Sequence, residues 1–322
     1  MSLSVTDTAA AAAGAEASAS APVGLRTDQT DIADWIALLK PRVMSLVVFT
    51  GLIGLLIAPG HINPVIGFTA VLCIAVGAGA CGAINMWYDR DIDALMRRTR
   101  NRPIPAGRMP PGAALGFGIT LATASVLLMF LAVNTAAASV LSLSILFYVF
   151  VYTMWLKRRT PQNIVIGGAA GAFPAVIGWA AVTGSVSMVP LLLFAIVFFW
   201  TPPHFWSLSL YASEDYARAG VPMLPVVAGG RETRRQIMLY TVVLAGVSLL
   251  PWVMGFAGPV YLGVTGILDL GFLVSAWRVL RDRQDETGRS LTNDAPARAA
   301  FRFSLAYLFL VFCALAVDQL AR

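Results

Sequence analysis

Asn85, Asp89 and Asp93 recur at every fourth residue of the stretch Asn85-Met86-Trp87-Tyr88-Asp89-Arg90-Asp91-Ile92-Asp93. On a helix four residues advance the chain by about 400°, so these three side chains stack on one face over two turns, and Asp91 points roughly the other way. One amide and two carboxylates offer only hard oxygen ligands, which suits Mg2+ and not zinc. Mg2+ held by one or two carboxylates usually keeps waters and shares a phosphate with its substrate. Arg97, Arg98, Arg100, Arg102 and Arg108 follow directly, placed to grip the other phosphate oxygens. Together these residues describe a diphosphate–magnesium site at a membrane surface. The arginines alone fit equally a solvated loop that obeys the positive-inside rule. The acid stripe fits such a loop less well, because carboxylates this close repel unless a cation joins them.

The elements that must position this stripe are apolar. The chain has 322 residues, 58% hydrophobic and 12% charged. Soluble domains carry about 25% charged residues, so an all-α integral membrane protein in the lipid bilayer is expected. Nine apolar segments fit, at about residues 43–58, 64–86, 112–133, 136–155, 164–182, 189–210, 237–256, 260–280 and 303–320, most of them near the roughly 20 residues a spanning helix needs. Asn134-Thr135 alone separates the third from the fourth, a tight hairpin. Of the 23 Lys and Arg, all but Arg322 fall on the side of the N-terminus, which the positive-inside rule assigns to the cytoplasm, with the C-terminus outside. The stripe, at the end of the second segment, therefore faces the cytoplasm. Residues 1–31, rich in Ala and Ser with no basic residue before Arg26, lack the positive region of a secretory signal and read as a disordered cytoplasmic tail before a membrane domain over 32–322. The net charge of +6 lies in loops on one side and is no nucleic-acid signal. The 3 cysteines lie in apolar segments without CxxC or CxxCH, so disulfide, zinc and covalent haem attachment are unsupported.

The same face collects the other chemically interesting residues. Tyr152 through Asn163 join the fourth and fifth segments. Lys157 and Arg158 there are placed to approach the diphosphate; they fit equally a snorkelling pair beside the belt residues Tyr152 and Trp155. Gly167, Gly168 and Gly171 permit close helix approach. In the sixth segment, Trp200-Thr201-Pro202-Pro203-His204-Phe205-Trp206, two prolines are expected to break or kink the helix, an arrangement tolerated where it lines a cavity. His204 reads either as a hydrogen-bonded structural residue or as a ligand. Beyond it Glu214 and Asp215, adjacent and diverging by about 100° on a helix, make a poorer metal site than the first stripe, and the two acidic patches are expected to face one cavity.

These residues together resemble the UbiA superfamily of intramembrane prenyltransferases. Asn85-xxx-Asp89-xxx-Asp93 with Arg98-Thr99-x-x-Arg102-Pro103 is similar to its first motif. Tyr152 through Asn163, Thr201-Pro202-Pro203-His204-Phe205-Trp206 and Asp215-Tyr216-x-x-Ala219-Gly220-x-Pro222-Met223-Leu224-Pro225 resemble its haem-specific branch. The likeness spans about residues 40–320. It implies farnesyl transfer from farnesyl diphosphate to a vinyl group of haem b, with haem as substrate and Mg2+ as cofactor, in the bacterial cytoplasmic (inner) membrane. Asn85, Asp89 and Asp93 would hold the metal, and Lys157 and Arg158 would neutralise the leaving diphosphate. Arg98, Arg102, Thr160, Gln162, Asn163, His204, Tyr211 and Asp215 are the implied substrate contacts, with His204 ligating the haem iron or bonding a propionate. Haem A synthase or oxidase-assembly proteins are the partners such a role implies. The departure from the superfamily is the second acidic motif, where relatives acting on hydroxybenzoate carry DxxxD. A quinone-type aromatic prenyltransferase is the alternative, disfavoured by that missing motif and by Pro203-His204-Phe205-Trp206. A transporter would want charged groups at midplane, for which Asp269 is thin support.

Overall fold

The computed structural model describes residues 30–321, so of the tail expected over 1–31 only Thr30 and Asp31 fall within the described residues. Thr30 Oγ1 donates to the Arg108 carbonyl at 2.9 Å. The first helices are α1 (Ile32–Leu38), α2 (Pro41–Leu56), α3 (Pro64–Tyr88) and the short α4 (Arg90–Leu95). After a loop come α5 (Pro111–Ala132) and α6 (Thr135–Leu146), which continues as a π-helix over Phe147–Leu156. Then follow α7 (Asn163–Thr183), α8 (Met188–Tyr211), α9 (Ser213–Arg218) and α10 (Leu224–Val227). The chain closes with α11 (Gly229–Ser248), α12 (Leu250–Val253), α13 (Pro259–Leu280) and α14 (Ala295–Leu320). Among the described residues there is no named strand, only an isolated bridge between Gln284 and Ser290. Eight of these helical stretches are long and apolar enough to cross a membrane, and the α1–α2 pair, bent by 51°, makes a ninth.

Local chemistry sets where the helices begin. Proline occupies the first turn of α2, α3, α5, α13 and α14, where its missing N–H would have had no helical partner. Asn63 and Asn134 cap α3 and α6, accepting from Val65 N (2.9 Å) and Ala137 N (2.8 Å). Asn134 Nδ2 also donates to the carbonyls of Ala180 and Ala181 on α7, so the expected hairpin is tied to the helix behind it. Helix α7 is the inner staff of the bundle, and it approaches α2 so closely that a Cβ on Gly178 would lie 2.0 Å from the Gly51 carbonyl oxygen. Only hydrogen fits there.

Three expectations need correction. The pair Pro202-Pro203 does not break its helix, because α8 runs through both from Met188 to Tyr211. The lost N–H donors forfeit ladder bonds to Phe198 and Phe199, while packing against α7, α11 and α14 holds the segment in register. As expected for such a segment, Trp200, Thr201, His204 and Phe205 line a cavity. Helices α11 and α14 begin at Gly229 and Ala295, well before the apolar runs at 237 and 303, since charged turns continue a helix beyond the apolar core. Gly171 is not a close-approach residue: a Cβ there would meet nothing within 4 Å, because the residue faces open cavity. The π-helix had no expectation attached to it.

Candidate active site

The stripe forms as its spacing requires. Asp89 sits at the junction of α3 and α4 (φ −88°, ψ 8°), yet Asp89 N donates to Asn85 O (2.9 Å) and Asp93 N to Asp89 O (2.8 Å), carrying the helical period through it. Asn85, Asp89 and Asp93 are all buried, at 4%, 0% and 1% exposure, whereas the Asp91 side chain is 61% exposed. Asn85 Nδ2 donates to Asp89 Oδ2 at 2.7 Å and more weakly to Thr153 Oγ1 at 3.3 Å.

Cations converge on these oxygens. Lys157, the first residue past the π-helix, pairs with Asp89 Oδ2, and Arg158 reaches Asp89 Oδ1 at 3.4 Å. Burial opposes the Lys157 charge, but the Asp89 carboxylate outweighs it and leaves the ammonium pKa above its ordinary value. Arg102 grips Asp93 Oδ2 at 2.5 Å. Arg158 also binds Asp91 with both amino groups at 2.7 Å, donates to the Tyr88 carbonyl and lies 4.9 Å over the Tyr88 ring. The Asp91 bond raises the Arg158 pKa and lowers that of Asp91. Asp91 therefore faces away from the stripe and still positions one of its cations.

Asp93 Oδ1 is buried with no hydrogen-bond partner. A carboxylate oxygen cut off from water and from every donor costs energy unless a cation meets it. Two carboxylates and an amide oxygen within two helical turns make a hard-oxygen donor set that fits Mg2+ completed by water and phosphate. Among the described residues no three carboxylate, imidazole or thiol groups are placed to hold a metal ion by themselves, so the amide of Asn85 is needed to complete the set.

Lys40 was not singled out by sequence reasoning. It lies between α1 and α2 in the left-handed region (φ 51°, ψ 52°), a conformation costing roughly 1–3 kcal/mol for a non-glycine residue, and its Nζ donates to Asn85 Oδ1 at 2.7 Å. The only signal was Lys40-Pro41-Arg42, two cations astride the proline that opens a span. Arg42 lines the cavity beside the site.

That cavity, about 540 Å³, is enclosed by α2, the π-helix, α7, α8 and α14, and its wall is mostly apolar. Tyr148 and Tyr152 face it from the π-helix, which Lys157 follows directly, so one segment serves both the cavity and the charged cluster. The Tyr152 ring packs where a Cβ of Gly167 would be, 2.2 Å away. A smaller cavity of about 70 Å³ shares Met44, Val47, Tyr148, Ala170 and Gly171 with the larger one and extends it between α3, α6 and α7. His204 lines the large cavity with Nδ1 2.6 Å from Ser304 Oγ and its ring stacked between Trp200 (4.2 Å) and Phe301 (4.6 Å). Ser304, its partner a hundred residues on, also escaped sequence reasoning.

Other expected site residues lie apart from the stripe. Arg98 donates to Tyr216 Oη at 3.2 Å, and Ile92 and Met96 pack with Tyr216 and Met223, so the segments that carry the two acidic patches are neighbours, but neither patch lines either of the two cavities just described. Asp215 pairs with Arg218 at 3.4 Å and not with the first patch. Thr160, Gln162 and Asn163 form the turn before α7, with Gln162 N on Thr160 Oγ1 and Asn163 Nδ2 on the Thr160 carbonyl. Asn163 Oδ1 is buried without a partner. Tyr211 carries Arg298 over its ring at 4.3 Å. Arg108 pairs with Asp34 of α1 at 3.0 Å, where it anchors that helix.

The UbiA prenyltransferase family profile matches residues 47–306. The chain belongs to this family. Among solved structures, that of a digeranylgeranylglyceryl phosphate synthase superposes on this UbiA chain with a TM-score of 0.73 at 20% identity, covering 90% of this chain and 99% of that one. A UbiA homologue from Archaeoglobus fulgidus bound to GPP and Mg2+ superposes with a TM-score of 0.60 at 17% identity, covering 87% and 99%. Both show a common fold. Curated relatives are much nearer in sequence. Protoheme IX farnesyltransferase of Granulibacter bethesdensis is 70% identical over 287 residues, 89% of this UbiA chain and 90% of that protein. That of Acidiphilium cryptum is 68% identical with the same coverage.

Proposed function

We propose that this protein transfers the farnesyl group of farnesyl diphosphate to a vinyl group of haem b, giving haem O. The observation that carries the reading is the bare, buried Asp93 Oδ1 within a cluster of Lys40, Arg102, Lys157 and Arg158, beside an aromatic-walled cavity. The name shared by relatives 70% and 68% identical supports the acceptor.

Asn85, Asp89 and Asp93 would hold Mg2+, which when bound neutralises the diphosphate and favours its departure. Lys157, Arg158 and Arg102 stand where negative charge grows on the leaving oxygen as the allylic C–O bond breaks, and preorganised cations beside buried carboxylates act more strongly than cations free in water. Lys40 keeps Asn85 oriented. The farnesyl chain lies in the apolar cavity and reaches the smaller one past Gly171. Phe205, Phe301, Trp200 and Tyr152 shield the allylic cation from water until the vinyl carbon attacks it. Water then adds to the cation formed on the porphyrin side chain and releases a proton, which leaves a hydroxyl on the product. His204, with Nδ1 taken by Ser304, offers Nε2 to the acceptor.

The basic loops support a cytoplasmic active site in the bacterial inner membrane, the tail over 1–31 lying on the same side, with haem A synthase or oxidase-assembly proteins as downstream partners. A phosphatase reporter fused after Arg159 should be inactive and one fused at Asn134 active; the reverse pattern would invert the topology. The function itself is tested by mass analysis of haem extracted from membranes with and without the protein. The expected species is haem b plus one farnesyl group and one hydroxyl, and an unchanged haem pool beside a prenylated aromatic acid would assign a quinone-type acceptor.

A further inference from the structure

Arg298 and Arg302 stand one helical turn apart on α14, on either side of Phe301 in sequence. Phe301 lines the large cavity and stacks on His204. Tyr211 meets Phe301 edge-on at 6.3 Å (81°), and the Arg298 guanidinium lies 4.3 Å over the Tyr211 ring. An aromatic path therefore leads from the cavity wall to Arg298. Arg302 and Arg98 also act electrostatically on the Tyr211 hydroxyl. Neither Arg298 nor Arg302 forms an ion pair among the described residues. Arg298 Nε donates only to the Asn293 carbonyl at 3.2 Å, and Asp294, the acid that senses Arg298, is held by Arg234 at 3.0 Å.

Two planar forks without an ion pair, beside an aromatic wall, form a receptor for a flat apolar molecule that carries carboxylates at one edge. Haem b is such a molecule, with two propionates on one half of its ring and its vinyl groups on the other. We infer that Arg298 and Arg302 bind the propionates of the acceptor, so that the ring lies against Phe301 and His204 with its vinyl half toward the Asp89 cluster. This rests on the haem reading above and adds to it what fixes the orientation of the ring. Arg298 and Arg302 thereby select a dicarboxylate porphyrin and decide which edge receives the farnesyl group.

Lipid phosphates share this anionic chemistry, so the experiment separates the two. Purified protein in neutral detergent is titrated with iron protoporphyrin IX and with its dimethyl ester, followed by Soret absorbance. Wild type should prefer the free acid by roughly tenfold or more, the size expected for charge-assisted pairing. Arg298→Gln/Arg302→Gln should lose that preference while farnesyl diphosphate binding and the melting temperature stay as in wild type. Arg298→Lys/Arg302→Lys, which keeps the charge without the fork, should hold an intermediate preference, and it carries the test if the glutamine pair folds poorly. A double variant that keeps the full wild-type preference would overturn the inference. So would a wild type that binds acid and ester alike, with the arginines affecting only retention on phosphatidylglycerol vesicles. A wild type that binds neither porphyrin would instead sink the acceptor reading itself.

Discussion

Replacing Asp89, Asp91 and Asp93 one at a time separates the roles that the structure gives to three acids within five residues. Asp93→Ala removes the only oxygen of the cluster that no donor meets and strands Arg102, which is 26% exposed. Loss of one preorganised electrostatic contact typically costs about 10²–10³ in rate, or roughly 3–4 kcal/mol, and Asp93→Ala should fall by that order. Asp89→Ala removes a fully buried carboxylate and leaves Lys157, 15% exposed, unpaired. Breaking a buried pair from one side costs about 3–5 kcal/mol, so this variant should lose the same order of rate and melt at a lower temperature as well. Asp91 acts only through Arg158, and the pair is open to solvent, with side chains 61% and 30% exposed. Screening limits such a pair to about 0.2–1 kcal/mol, a loss of at most about fivefold. Haem O formation in membrane vesicles, with product measured by mass and farnesyl diphosphate binding measured separately, reads all three. EDTA should abolish wild-type turnover and added Mg2+ restore it. If Asp91→Ala were as inactive as Asp89→Ala while Asp93→Ala worked normally, the stripe would be the wrong ligand set.

His204→Ala should weaken haem binding and leave farnesyl diphosphate binding intact; equal loss of both in separate titrations would make His204 a packing residue for Trp200 and Phe301. Asp269 accepts from Tyr307 Oη (2.6 Å) and Ser248 Oγ (2.8 Å), tying α11, α13 and α14 together away from the cavity, so Asp269→Asn should lower the melting temperature while prenyl transfer stays within a few-fold. A collapse of activity at normal expression would reopen a proton-relay role. Gly171→Leu should fill the junction of the two cavities and shift the preferred donor from farnesyl toward geranyl diphosphate in competition assays; an unchanged preference would remove the farnesyl chain from that passage.

The parts of this site that were legible in the sequence are those whose partners are close along the chain. Asn85, Asp89 and Asp93 share a face by helical period, and runs of Lys and Arg mark segment ends whatever the tertiary structure. Lys40 was not legible because its partner Asn85 is 45 residues away and because a left-handed lysine before proline has no compositional mark. Ser304 escaped for the same reason. Of the break or kink expected at Pro202-Pro203, the break does not occur, because local rules count the lost hydrogen bonds and ignore the packing of α8 against α7, α11 and α14. Asp91 was rightly placed off the stripe, but its hold on Arg158, 67 residues away, needed the fold.

The π-helix over Phe147–Leu156 has a consequence for how this protein tolerates change. Lys157 N bonds to Tyr152 O, five residues back, so the segment carries more residues per turn than an α-helix of equal length. An ordinary helix turns about 100° per residue. Deleting a single residue between Phe147 and Leu156 would change the winding and the length of the segment together, so Lys157 would lose its register on Asp89 and the tyrosines theirs on the cavity wall. Point substitutions at the outward Phe150 and Trp155, 56% and 54% exposed, leave that register alone. In lineages descended from this chain, the stretch should therefore drift in spelling while its length stays frozen.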